Sequence, residues 1–115
     1  MNSNFEINED LQKMIMECAD PHKAEEVMKE LAESCQERKL IFTDYQWKSL
    51  VNHICAMIMR SISGETIDLD ISLFDEVSED SLNLSMDVVK AIGGRLADDE
   101  MYLLSIHFES VKENN

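Results

Sequence analysis

"TDYQWKSLVNHICAMIMRS", residues 43–61, decides how the rest of the chain is read. Thr43 and Gln46 stand three apart, the spacing at which a hydroxyl and a carboxamide satisfy each other's backbone N–H groups at a helix start. Trp47, Leu50, Val51, Ile54, Ile58 and Ile62 then recur at helical spacing, and Gly64 supplies a C-terminal stop. The spacing predicts one long helix with a single apolar stripe. At about 100° per residue, His53 falls at the edge of that stripe, above Met57 and in line with Gln46, Ser49 and Arg60. An imidazole so placed has one side packed and the other reachable. It is either a core residue with a quiet hydrogen bond or a residue held there for chemistry.

Working outward, the same reasoning yields more helices. Asn8 caps a short one over Glu9–Ala19, with Leu11, Met14, Ile15 and Cys18 on one face. Asp20 caps the next and Pro21 takes its first position, with Glu25 and Glu26 near the positive helix end. That helix runs to about Arg38 and buries Ala24, Val27, Met28, Leu31 and Cys35. "ETIDLDISLFDEV" alternates at Ile67, Leu69 and Ile71, but a lone strand has no partner, so it reads as a loop with a short helix at Leu73–Val77. Ser81–Ile92 forms another amphipathic helix, ended by Gly93 and Gly94. A last one begins near Asp98. Residues 1–7 read as a loose tail, and residues 8–115 as a single all-α domain.

Composition narrows the function. A chain of 115 residues is sized for one core. Its 24 acidic against 10 basic residues give a net charge of −14, which repels phosphate backbones and anionic membranes. Such a field suits a basic protein partner, or serves solubility alone. Cys18, Cys35 and Cys55 are odd in number and form no CxxC, which points away from disulfides and toward a reducing cytoplasm. Cys55 reads as a small buried hydrophobe. No signal peptide opens the chain and no stretch is long and apolar enough for a membrane span. HxxxH, HExxH and Cys–His clusters are absent, "DEVSED" lacks the ordered Asp/Asn-Gly loop of a calcium site, and "IGGRL" reads as a helix cap. Cys55 and His53 cannot pair as nucleophile and base, because i and i+2 face different ways on a helix. Neither enzyme, cofactor nor metal is expected.

On the last helix, His107 lies in the stripe of Leu103, Leu104, Phe108 and Val111. Glu100 lies two turns earlier on the same line, too far for direct contact. Periodicity alone makes His107 a core histidine and His22 a surface one.

The segment at residues 43–61, followed by "LADDEMYLLSIHFES" at residues 96–110, resembles the PTS regulation domain, or PRD. The resemblance runs from about residue 8 to residue 113 and is carried by Asn52, His53 and Arg60 in one piece and Glu100 and His107 in the other. It implies a five-helix bundle of two antiparallel helix pairs plus a short crossing helix, with the two histidine-bearing helices packed together. It also implies that His53 and His107 are phosphoacceptors, the donor being the histidine phosphocarrier protein or an enzyme II subunit of the sugar phosphotransferase system. Arg60 would stabilise the added charge, and Asn52 and Glu100 would orient the rings. Phosphorylation in such modules shifts dimer packing, so a homodimer is implied. With one module in the sequence, the expectation is a stand-alone bacterial transcription-regulation protein working through protein–protein contacts, without touching nucleic acid. The alternative is a phosphorylation-silent interaction subunit that keeps only the fold.

Overall fold

The computed structural model describes residues 8–114, so the tail expected at residues 1–7 lies outside the described residues. Five α-helices occur among the described residues: α1 (Glu9–Met16), α2 (Pro21–Glu37), α3 (Asp44–Ser63), α4 (Glu79–Ile92) and α5 (Glu100–Lys112). A single 3₁₀ turn, Ile71–Phe74, interrupts the α3–α4 connection in place of the short helix expected at Leu73–Val77, and no strand occurs among the described residues.

Local chemistry accounts for most helix starts. The Asn8 side chain accepts the Leu11 N–H at 2.9 Å, and the Asp20 side chain accepts that of Lys23 at 3.1 Å ahead of Pro21. At α3 the capping box is complete: Thr43 Oγ1 accepts from the Gln46 backbone, and Gln46 Oε1 accepts from the Thr43 backbone. Gly64 ends α3 in the left-handed region at φ 77°, where a side chain would be strained.

The core forms around α3. Leu50, Val51, Ile54, Met57 and Ile58 are essentially sealed from solvent. They meet Leu11 and Ile15 of α1, Met28 and Leu31 of α2, Leu84 and Val88 of α4, and Leu104 and Phe108 of α5. Burying each such side chain is worth about 1.5–3 kcal/mol, which explains why amphipathic segments of modest length hold together here. The most extensive helix–helix contact is between α4 and α5, and α3 touches all four other helices. No helix among the described residues is long and apolar enough to cross a membrane.

Four further expectations need correction. First, α1 stops at Met16 rather than Ala19, because the chain must turn toward Asp20. Second, α4 starts at Glu79, two residues before Ser81, with Ser78 as its cap. Third, Ile62 is 55% exposed instead of extending the α3 stripe. The segment after α4 crosses the other side of that last turn. Arg95 donates its backbone N–H to the Ser61 carbonyl at 2.9 Å, and Gly94 lies so close that a Cβ would sit 2.8 Å from the same oxygen. Fourth, Cys18 and Cys55 form a disulfide. Their helices are far apart in sequence, but α1 lies on α3 and brings the two Cα atoms to 5.3 Å. Neither an odd count nor a missing CxxC can reveal such a pairing, so the cysteine count says nothing about compartment. Cys35 stays a free thiol, buried, with burial pushing it up to about 12.

Candidate functional site

Three polar contacts join α3 to α5, and their order shows that the two helices run antiparallel. Gln46 Nε2 donates to Ser110 Oγ at 3.2 Å. Nδ1 of His53 lies 2.9 Å from Nε2 of His107. Arg60 donates through Nε and Nη2 to the two carboxylate oxygens of Glu100, at 2.6 and 2.7 Å. On α3 the rungs fall seven residues apart, close to two full turns, so they stack along one face. His53 thus sits at the middle of a polar seam that borders the apolar stripe.

Both rings are half-buried, with centroids 5.0 Å apart and planes tilted by 43°. His107 is therefore not enclosed in the core as its periodicity suggested; α3 supplies its polar partner at the core's border. Burial lowers the pKa of both rings. For His53 the value falls to about 4, first through burial, then through the facing His107, then through the Arg60 cation. Both imidazoles are consequently neutral near pH 7, and only one of the two facing nitrogens carries the proton between them. The pair is built from two nucleophilic bases without a carboxylate on either ring.

The other expected members separate. Arg60 lies in the seam, its guanidinium raised in pKa by its hydrogen bonds to Glu100. Glu100 is 1% exposed, and its carboxylate is taken by Arg60 in a bidentate ion pair. Its hydrogen bonds go to Arg60 and not to a ring, so it anchors the cation one rung along the seam from the histidines. Asn52 is exposed on another flank of α3, where it lines a shallow groove with Met14, Glu17, Cys18 and Cys55. Among the described residues it bonds neither ring. His22 is a surface residue facing Glu26 at 3.8 Å.

A second polar seam, between α4 and α5, escaped the sequence reading. Glu109 Oε2 accepts from Ser81 Oγ, from Ser78 Oγ at 2.8 Å and from Lys112 Nζ at 3.2 Å. These bonds, the Ser81 hydroxyl first, hold the Glu109 carboxyl down at about 2. The available signal was Ser78, three residues before Ser81, in cap position for α4.

The sequence matches the PRD domain family over residues 25–111. The crystal structure of a PRD-containing transcription regulator from Lactobacillus casei ATCC 334 superposes with a TM-score of 0.88 at 35% sequence identity. That match covers 97% of this chain and 100% of the other. No curated protein matches the sequence.

Proposed function

This chain belongs to the PRD domain family, and from that premise we propose that it is a PTS regulation domain in which His53 and His107 form the phosphoacceptor site. In this reading it is a bacterial regulatory module, not an enzyme, acting in the cytoplasm on transcription through protein–protein contacts. The observation that carries the reading is the 2.9 Å approach of two neutral, half-buried imidazoles across the α3–α5 seam.

Phosphoryl transfer to histidine requires an unprotonated ring nitrogen, which the lowered pKa values supply near neutrality. The product carries close to two negative charges at pH 7. Arg60, anchored by buried Glu100 one rung along the same seam, is in this reading the cation that offsets that charge. Adding a dianion to a half-buried ring of this seam reverses the charge at the border of two packed helices, which suits a switch read out through homodimer packing. The phosphoryl donor is the histidine phosphocarrier protein or an enzyme II subunit, and the strongly acidic surface favours a donor with a basic face.

The test is transfer of label from phosphorylated carrier to wild type, His53→Ala, His107→Ala and the double variant. Wild type takes label and the double variant takes none. An unlabelled wild type, or undiminished label on the double variant, removes this function and leaves the phosphorylation-silent interaction subunit.

A further inference from the structure

Resting on the phosphoacceptor reading and narrowing it to one atom, we propose that the His53–His107 hydrogen bond directs the phosphoryl group to Nε2 of His53. In this arrangement His107 is a positioning residue: it accepts the Nδ1 proton of His53 and so keeps the lone pair on the opposite, outward nitrogen.

Three observations support the assignment. Nδ1 of His53 and Nε2 of His107 face each other at 2.9 Å, so neither has space for a phosphorus atom while the pair is intact. Nε2 of His53 and Nδ1 of His107 carry no hydrogen bond, and among the described residues no side-chain nitrogen or oxygen closed to solvent lacks a partner. Neither outward nitrogen is therefore fully sealed from solvent. Finally, a neutral pair holds one proton in the shared bond. When it resides on His53 Nδ1, the outward lone pair is on His53 Nε2; when it resides on His107 Nε2, the outward lone pair is on His107 Nδ1. The rings are alternative nucleophiles, and Arg60 selects between them. It follows His53 by two turns on the same face of α3, so its cation bears on that ring from its own helix.

The His53 Nε2 lone pair forms the N–P bond while the P–N bond to a phosphohistidine or phosphoramidate donor breaks, its electron pair staying on the donor nitrogen. His53 becomes cationic, its Nδ1 proton passes to His107 Nε2, and His107 releases its own Nδ1 proton to water. A neutral phosphoimidazole then accepts a hydrogen bond from a neutral His107.

Potassium phosphoramidate, which needs no protein donor, tests this on the full chain carrying His22→Gln. ³¹P NMR distinguishes the two phosphohistidine isomers, and tandem mass spectrometry locates them. The expected product is Nε2-phospho-His53 in at least tenfold excess over the Nδ1 isomer. His107→Leu reduces that excess to threefold or less, and His107→Gln, whose carboxamide oxygen still accepts the N–H, restores it. If the leucine variant does not fold, two-bond ¹H–¹⁵N correlation on wild type reads the tautomer directly, with His53 protonated at Nδ1. Nδ1-phospho-His53, label settling on His107 in preference to His53, selectivity unchanged in the leucine variant, or the opposite tautomer overturns the proposal. Failure of a protein donor alongside the expected phosphoramidate product counts against the function proposed above and not against this atom assignment.

Discussion

Helix α5 carries two polar seams, and they are built to opposite ends. At the α4 border, four donors converge on one oxygen of Glu109: the Ser78 hydroxyl and backbone N–H, the Ser81 hydroxyl and Lys112 of α5 itself. These bonds keep the carboxylate charged down to about pH 2. Toward α3, two neutral imidazoles share a single proton beside the Arg60–Glu100 ion pair. The first seam has one satisfied state across the ordinary pH range, so it clamps. The second has two tautomers, two outward nitrogens and a nearby cation, so its state can change without dismantling the core beneath it. A seam made only of clamps would hold the helices but carry no signal.

The largest effect that sharpens this contrast is expected at Arg60. Arg60→Met leaves the Glu100 carboxylate buried without its partner, and stability in urea titrations falls by about 3–5 kcal/mol. Pairing it with Glu100→Leu recovers most of that loss, because the buried charge is gone. A loss under 1 kcal/mol for the single variant would mean that the pair does not anchor the seam.

Acid comes next. His53 titrates near 4 in the folded chain against 6.5 when exposed. Between those values the unfolded chain binds a proton that the folded chain refuses, so stability decreases as pH falls from about 6.5 to 4. The full effect is roughly 3 kcal/mol. Burial of His107 acts in the same direction. Glu109 behaves differently: its contribution is present above the ordinary carboxylate pKa and is lost only as pH falls from about 4.5 toward 2. Urea titrations at pH 7 and pH 5 separate the seams. Wild type weakens between them, His53→Gln weakens much less, and Glu109→Gln keeps the wild-type slope.

At the clamp itself, Glu109→Gln removes a charged acceptor from a partly exposed site and costs about 1.5–2 kcal/mol in the same titration. Ser78→Ala, which deletes the α4 cap and one Glu109 donor, costs about 1 kcal/mol. Neither variant loses phosphoryl label, since neither touches the histidine pair. Loss of label in either one would join the two seams into a single device.

The sequence made local features legible and left those built between helices obscure. Thr43 with Gln46, Asn8, Asp20 with Pro21, and Gly64 marked helix ends because each acts within a few residues of itself. The edge position of His53 was likewise readable, since a helical wheel needs only spacing. The partner of Glu100 was not readable, because Arg60 meets it only after α5 packs antiparallel to α3. The Cys18–Cys55 bridge and the Glu109 clamp depend in the same way on helices far apart in sequence. That His53 and His107 meet was an implication of the PRD resemblance; neither ring's own periodicity contained it.

Under the proposed function, phosphorylation changes the state of the α3–α5 seam and leaves the α4–α5 seam as it is. Amide hydrogen exchange, measured before and after phosphorylation of the same preparation, tests it most directly. The expected result is at least tenfold faster exchange around His53 and His107 on the two facing helices, with α4 around Ser81–Ser85 unchanged. Exchange that stays the same across α3 and α5, or rises equally at both seams, would contradict it.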